Sequence, residues 1–176
     1  MKLTEKINAQ IRDIKDFPKE GILFKDITPI LSHPQLVTEI VDWFVEKAKK
    51  DDIDMIVGVE SRGFLFGMMI AERLGVPFVP VRKEGKLPYE TIKHSYDLEY
   101  GSATMEIHKD AISVGQNVMI HDDLLATGGT ALAAAKLVKA LGGKVGNFTF
   151  LIELGFLEGK KKLVLENEAV YSIVTY

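Results

Sequence analysis

The stretch that decides the fold is residues 118–130, VMIHDDLLATGGT. It begins with apolar and β-prone residues, continues with the adjacent acids Asp122 and Asp123, and ends in a turn of small and hydroxyl-bearing residues. The alanine-rich run that follows, ALAAAK, predicts a helix. A strand, an acidic tip, a small turn and a helix in this order predict a ligand site at the carboxyl end of a buried strand.

The turn in this stretch has the composition of a phosphate-binding loop. Glycines allow backbone N–H groups to point at an anion, and the N-terminal end of a helix adds partial positive charge. The carboxylates of Asp122 and Asp123 accept hydrogen bonds from sugar hydroxyls. No Gly-Lys-Ser/Thr ending and no G-x-G-x-x-G pattern is present, so the turn is neither a Walker loop nor a dinucleotide fingerprint. An ordinary strand-to-helix turn explains one Asp and one Gly, whereas the whole set favours a sugar phosphate. The predicted phosphate loop consists of Ala126, Thr127, Gly128, Gly129 and Thr130.

Apolar strands that alternate with helices predict an α/β fold with a parallel sheet. Three isoleucines at helical spacing, Ile7, Ile11 and Ile14, predict a further helix that ends before Pro18. The polar segment 82–96 predicts a lid loop, and the partial alternation over 97–112 predicts a hairpin strand. Strands are predicted over 53–59, 77–81, 117–122 and 145–152, and helices over 34–50, 64–74 and 129–141.

Composition predicts one globular domain over residues 1–176. The hydrophobic fraction of 47% and the charged fraction of 27% are ordinary globular values, and the formal net charge of −3 argues against a nucleic-acid-binding surface. No apolar run approaches the roughly 20 residues that span a bilayer. The absence of cysteine excludes disulfides and thiol catalysis and suits the cytoplasm. The four histidines show no metal-ligand spacing.

Three further segments carry candidate binding residues. Ser61 and Arg62 follow the first core strand, and a guanidinium pairs well with a diphosphate, with a surface Arg–Glu pair as the alternative interpretation. Lys83 and Lys86 open the polar loop, as basic residues that attract a polyphosphate or as a solvated face. Phe24 lies in an apolar stretch that either packs in the core or closes a slot for an aromatic base.

The chain resembles the adenine phosphoribosyltransferase family, within the type I phosphoribosyltransferases. The resemblance rests on six segments that follow the family's order over nearly the whole chain. It implies a type I phosphoribosyltransferase-like parallel sheet flanked by helices, with a flexible loop and hairpin over 82–108 and a small base-binding hood over 1–35. The segments are 17–31, FPKEGILFKDITPIL; 57–67, VGVESRGFLFG; 81–88, VRKEGKLP; 98–101, LEYG; 118–130; and 150–154, FLIEL.

The resemblance also implies an activity: adenine and 5-phosphoribosyl 1-diphosphate give AMP and pyrophosphate with Mg²⁺, in a homodimer. Asp122 and Asp123 would hold the ribose hydroxyls, and the loop 126–130 would hold the 5′-phosphate. Glu99 would carry a proton, Tyr100 would belong to the lid, and Mg²⁺ would be held mainly by substrate rather than by protein side chains. Pyrophosphate would contact Ser61, Arg62, Lys83 and Lys86, and adenine would contact Leu23, Phe24, Lys25 and Leu154. Two departures from the family pattern are Lys25, commonly Arg, and Glu84, often basic.

Two alternative functions stay open from the residues. A phosphoribosyltransferase for a 6-oxopurine requires a donor to the base O6, typically a lysine soon after the phosphate loop. Here alanines follow Thr130, and Lys136 falls further along the predicted helix. A non-catalytic regulator that senses 5-phosphoribosyl 1-diphosphate and binds nucleic acid requires a basic stripe, which the net charge disfavours. Neither nucleic acid nor a membrane is therefore expected as a partner.

Overall fold

The computed structural model describes residues 1–97, 101–165 and 169–176. The chain divides into two compact units, Met1–Trp43 and Phe44–Tyr176. The single domain with a hood over 1–35 stays a prediction. Among the described residues, no helix combines the length and the hydropathy needed to cross a bilayer.

The described residues form the following elements in chain order. The helices are α1 (Leu3–Asn8), α2 (Thr28–Leu31), α3 (Pro34–Lys50), α4 (Gly63–Leu74), α5 (Gly129–Ala140) and α6 (Gly159–Val164), with a 3₁₀ turn over Gly155–Leu157. The strands are β1 (Arg12–Lys15), β2 (Leu23–Asp26), β3 (Met55–Val59), β4 (Phe78–Lys83), β5 (Thr91–Asp97), β6 (Ser102–His108), β7 (Asn117–Leu125), β8 (Lys144–Glu153) and β9 (Ala169–Thr175).

The first unit contains a two-stranded antiparallel sheet in which β1 pairs with β2. The predicted helix through Ile14 is wrong beyond Asn8, because Ile14 lies on β1 and pairs with Phe24 on β2. Isoleucine is also a good strand residue, and backbone pairing to a strand that follows in the chain outweighs a short helical spacing. Only Ile7 of the three lies in α1, and it is fully buried.

The second unit contains a seven-stranded sheet in the order β5-β6-β4-β3-β7-β8-β9. The five strands from β4 to β9 in this order, β4-β3-β7-β8-β9, are parallel, while β6 pairs antiparallel with β4 and with β5. The predicted α/β class with a parallel sheet and flanking helices is confirmed. Helix α3 has the predicted bounds, and the predicted core strands and the helices α4 and α5 differ at their ends by a few residues.

Helices cover both faces of this sheet. On β7, Ile120 belongs to the core cluster that includes the alanines of α5. The next residue, His121, contacts the rings of Phe44 and Phe66 instead. Because successive side chains of a strand point to opposite faces, α5 lies on one face, and α4 with the Phe44 end of α3 lies on the other. The carboxyl end of β7 therefore emerges between two helix layers.

The loop predicted over 82–96 is too long. Strand β4 extends to Lys83, and residues 91–97 form β5, which pairs along its whole length with β6. Ile92, His94 and Tyr96 are half-buried, whereas the residues between them are exposed. This alternation marks a strand with one covered face, and the many polar residues of the segment concealed it.

Candidate active site

A cavity of about 420 Å³ opens at the carboxyl ends of β3 and β7 in the second unit. It brings together most of the residues that the sequence assigned to phosphate and ribose binding. The predicted residues that line it are Ser61, Arg62, Lys83, Asp122, Asp123, Ala126, Thr127, Gly128, Gly129 and Thr130. Sites in open parallel sheets lie at this end of the strands because the connecting loops and helix N-termini converge there.

The acidic pair lies inside β7, not beyond its end, because β7 continues to Leu125. Asp123 is buried, with 4% of its surface exposed, and Asp122 is half-buried. The backbone N–H of Asp123 donates to Asp122 Oδ1 at 2.8 Å, and Arg62 Nε lies 3.0 Å from Asp123 Oδ2. The strand thus places two acidic side chains in a partly buried site, with one guanidinium beside them.

Burial sets the protonation of the two acids. It raises the pKa of Asp122 well above the ordinary value, and the neighbouring carboxylate of Asp123 adds to the rise. Burial also raises the pKa of Asp123, while the Arg62 guanidinium opposes that rise. Ionised acids at this place are therefore stabilised by any ligand that supplies hydrogen-bond donors or positive charge.

The backbone of another segment closely approaches the predicted phosphate loop. Gly128 has φ +81°, in the left-handed region that glycine adopts without strain, and it lies directly before α5. A Cβ on Gly159, at the start of α6, would lie 2.2 Å from the carbonyl oxygen of Ala126. A Cβ on Gly128 would lie 2.9 Å from the carbonyl oxygen of Gly159. The two glycines therefore allow α6 to pack directly against the loop.

The segment after β3 is held by an ion pair to β4. Arg82 donates from Nε and Nη2 to the two carboxylate oxygens of Glu60, at 3.2 and 3.1 Å, and the backbone N–H of Lys83 donates to Glu60 Oε2 at 2.9 Å. Burial alone would raise the pKa of Glu60, but these hydrogen bonds outweigh it and lower the pKa below its ordinary value. An ionised Glu60 thus fixes the segment that presents Ser61 and Arg62. The Glu60–Ser61 peptide bond is cis.

Helix α4 begins next to β7. A Cβ on Gly63 would lie 2.7 Å from the carbonyl oxygen of His121 and 3.1 Å from the Cα of Asp122. A side chain at this position would push the N-terminal end of α4 away from the acidic pair. Gly63 therefore allows Arg62 to reach Asp123.

Five other predicted site residues are not among those that line the cavity. Lys86 is exposed and does not line the cavity. Leu23, Phe24 and Lys25 lie on β2 in the first unit, where Lys25 Nζ donates to Asp13 Oδ1 at 2.7 Å. Leu154 follows β8 in the second unit. Glu99 and Tyr100 lie outside the described residues.

Sequence reasoning missed three residues that shape the cavity. Glu60 was given no role in the site, because its partner Arg82 lies 22 positions away. Tyr96, whose hydroxyl lies 2.9 Å from Thr130 Oγ1, was assigned to a loop, because the polar residues around it concealed its alternation with Ile92 and His94. Gly159 had no local signal, because its contact with the phosphate loop depends on the packing of α6.

Metal ligands of the protein are few at this site. Across the part of the chain that the structure describes, no group of three or more His, Cys, Asp or Glu side chains is arranged to hold an ion. The cavity offers Asp122 and Asp123, while Glu60 is engaged by Arg82. One or two carboxylates with substrate oxygens are the usual surroundings of Mg²⁺ in phosphate-binding proteins.

Comparison with known proteins identifies the relatives of this chain. The family model described as phosphoribosyl transferase domain matches residues 26–172. An adenine phosphoribosyltransferase of Flavobacterium johnsoniae is 52% identical over 171 residues, which cover 97% of this chain and 99% of that protein. One of Thermoanaerobacter pseudethanolicus is 55% identical over 159 residues, which cover 90% of this chain and 92% of that protein.

Solved structures agree with the sequence comparison. The crystal structure of adenine phosphoribosyltransferase from Thermoanaerobacter pseudethanolicus matches with a TM-score of 0.94 at 51% identity and covers 99% of this chain and 100% of that one. The Saccharomyces cerevisiae enzyme, solved with an imino-altritol bisphosphate and adenine, matches with a TM-score of 0.91 at 45% identity, over 97% of this chain and 98% of that one.

The raised pKa values of the acidic pair predict a gain of stability on neutralising one acid. A carboxyl group whose folded-state pKa is raised contributes stability below its unfolded pKa, and this contribution is lost as the pH rises through the folded-state value. Asp122→Asn keeps the oxygen that accepts from the backbone N–H of Asp123 but cannot ionise. We expect the melting temperature of Asp122→Asn at about pH 7.5 to exceed that of the unchanged protein by about 2–4 °C, or about 1 kcal/mol.

The gain should shrink as the pH falls through the folded-state pKa and be largely gone near about pH 3, where Asp122 is protonated in both states. Differential scanning calorimetry across this range measures it. The matched control is Asp110→Asn, which removes an exposed carboxylate and should leave the melting temperature unchanged. A lower melting temperature for Asp122→Asn at neutral pH would contradict the conclusion that the charge of the acidic pair destabilises the folded state.

Proposed function

Because the chain belongs to the phosphoribosyl transferase domain family, we propose that it is an adenine phosphoribosyltransferase acting in purine salvage. It transfers the phosphoribosyl group from 5-phosphoribosyl 1-diphosphate to adenine and releases AMP and pyrophosphate. Full-length relatives at about half identity carry this name. A cysteine-free chain fits the cytoplasm as its place of action.

The observation that carries the proposal is the convergence of paired acids, a guanidinium and a phosphate loop on one cavity. The loop 126–130 supplies backbone donors and the N-terminal end of α5 to the 5′-phosphate. The carboxylates of Asp122 and Asp123 accept hydrogen bonds from the ribose hydroxyls. Donors of the sugar stabilise the ionised form of acids that burial disfavours, so ribose binding relieves the electrostatic burden of the site.

The diphosphate is assigned to Ser61, Arg62 and Lys83. Arg62 and Lys83 line the cavity, and the Glu60–Arg82 pair joins the segment before Arg62 to the strand that carries Lys83. Departure of pyrophosphate from the anomeric carbon leaves a sugar cation and places negative charge on the leaving group. Arg62, Lys83 and the Ser61 hydroxyl stabilise that charge as it develops. No nucleophilic side chain is required, because adenine itself attacks the anomeric carbon.

Mg²⁺ fits the donors of the cavity. Bound mainly by substrate oxygens beside Asp122 and Asp123, the ion would neutralise charge on the diphosphate and favour its departure. The two carboxylates hold the ribose hydroxyls both with and without the bound ion. Their proximity to the segment that carries Arg62 keeps the ribose and the diphosphate in one orientation.

Recognition of adenine is proposed from the family motif on β2. Phe24 packs edge-on against Phe17, with ring centroids 5.1 Å apart. The ammonium group of Lys25 is held by Asp13, which supports a backbone contact with the base rather than a side-chain contact. Glu99 as proton carrier and Tyr100 in the lid stay predictions, since both lie outside the described residues.

Incubation with 5-phosphoribosyl 1-diphosphate, Mg²⁺ and one purine at a time tests the proposal. We expect AMP and pyrophosphate with adenine, and little or no nucleotide with hypoxanthine, guanine or xanthine. Chromatographic detection of each nucleotide separates these outcomes. Preferential formation of IMP or GMP would replace adenine by a 6-oxopurine as the substrate, and no product with any base would contradict the enzyme assignment.

Removing both carboxylates should abolish turnover while the fold persists. The double variant Asp122→Asn, Asp123→Asn retains size and hydrogen-bonding oxygens but loses the charge that favours the sugar cation and its hydroxyl donors. We expect kcat to fall by at least about 100-fold, with an unchanged circular dichroism spectrum. Asp110→Asn again serves as the matched control with normal turnover. Near-normal kcat in the double variant would remove the ribose-binding role of the pair.

A homodimer is the assembly that we propose. Helix α4, which begins directly after Arg62, exposes the apolar side chains Leu65, Met68 and Met69. Lys86 is exposed and does not line the cavity of its own chain, so it is available to the site of a neighbouring chain. Light scattering should give the mass of two chains, and Met68→Lys should shift it toward one. A monomeric unchanged protein would contradict the proposal.

A further inference from the structure

Tyr96 connects strand β5 to the phosphate loop. Its hydroxyl oxygen lies 2.9 Å from Thr130 Oγ1, at a contact that is partly buried. Two of its ring carbons lie 3.1 and 3.3 Å from the position that a Cβ on Gly129 would occupy. The side chain therefore meets the loop in two ways, through a hydrogen bond to one residue and through packing on the residue before it.

Binding of an anion to the loop decides which of the two hydroxyls donates in this hydrogen bond. Each hydroxyl carries one proton and two acceptor lone pairs. A phosphate group at neutral pH offers mainly acceptors, so the single proton of Thr130 points at the phosphate. Thr130 Oγ1 then has to accept the bond that it shares with Tyr96, and the phenol hydroxyl is the donor at the right distance. A chain of donors thus runs from Tyr96 through Thr130 to the anion.

The ring contact fixes the backbone that carries the loop donors. Gly129 is the first residue of α5, and the Tyr96 ring lies close to its Cα with little space for a side chain. Tyr96 is also packed against the core cluster that includes the alanines of α5. Since the first N–H groups of a helix have no partner within the helix, a fixed helix start keeps them aimed at the anion.

We propose that Tyr96 is a positioning residue for the 5′-phosphate, whose hydroxyl donates to Thr130 and so directs the Thr130 proton at the phosphate. The inference rests on the proposed function, because it takes the loop 126–130 as the receptor of the 5′-phosphate. It concerns the phosphate alone, so the interaction with adenine and ribose should not depend on the phenol hydroxyl.

A comparison of AMP with adenosine isolates this effect. Titration calorimetry of the unchanged protein should show tighter binding of AMP than of adenosine, because only AMP carries the phosphate. Tyr96→Phe keeps the ring and removes the hydroxyl. We expect it to weaken AMP binding about two- to tenfold and to leave adenosine binding unchanged. The KM for 5-phosphoribosyl 1-diphosphate should rise by a similar factor, with little change in the KM for adenine.

Two controls separate positioning from a general structural effect. Tyr89→Phe makes the same chemical change on an exposed tyrosine and should leave AMP binding unchanged. Thr130→Val removes the acceptor of the bond, so adding Tyr96→Phe to Thr130→Val should weaken AMP binding no further. Thr130→Ser keeps the hydroxyl, so adding Tyr96→Phe to Thr130→Ser should weaken AMP binding as it does in the unchanged protein. This cycle isolates the pairwise interaction.

The outcomes are distinguishable. An unchanged protein that binds adenosine as tightly as AMP contradicts the phosphate site itself and with it the proposed function. Preference for AMP that survives Tyr96→Phe in full overturns only the role of Tyr96. Equal weakening of AMP and adenosine, or additive losses in the double variant with Thr130→Val, also overturns it.

Discussion

Two neighbouring carboxyl groups near the carboxyl end of a buried strand are the constraint around which the second unit is arranged. Burial raises the pKa of both Asp122 and Asp123, and one guanidinium, that of Arg62, lies against the pair. To bring Arg62 there, helix α4 starts at a glycine that nearly touches the β7 backbone. The Glu60–Arg82 pair then fixes the preceding segment. The cavity is thus a consequence of accommodating two acids where a parallel sheet ends.

The sequence predicted the parts of this arrangement that depend on local patterns. Continuous apolar runs predicted the parallel strands, because strands covered by helices on both faces are apolar throughout. The acidic pair and its glycine turn were recognisable because they are contiguous in the chain. By contrast, β5 was interpreted as a loop. Its covered face, formed by Ile92, His94 and Tyr96, includes two residues with polar groups, so alternation of hydrophobicity was weak.

Local sequence patterns could not predict the contacts between segments that are distant in the chain. Gly159 lies against the carbonyl of Ala126, and Tyr96 lies against Gly129, yet neither pair is close in the chain. In both cases a residue distant in the sequence occupies the space that a side chain at the glycine would need. The local sequence around the glycine does not contain this information. Ile14 illustrates the same limit in the first unit, since pairing with Phe24 decides its conformation. Local sequence specified the loop, and tertiary packing specified its shape.

The residue that precedes the acids shows why their charge is met from the cavity. His121 is fully buried, its ring contacts those of Phe44 and Phe66, and its Nδ1 lies 3.0 Å from Thr149 Oγ1. Burial lowers the pKa of His121 to about 3, so the imidazole is neutral at physiological pH and adds no positive charge behind the strand. Arg62 and the donors of a bound ligand therefore have to stabilise the ionised pair. In the free protein the ionised acids are only partly stabilised, and a ligand with hydrogen-bond donors supplies the remaining stabilisation. The part of β7 that is least favourable for folding is therefore the part best suited to binding.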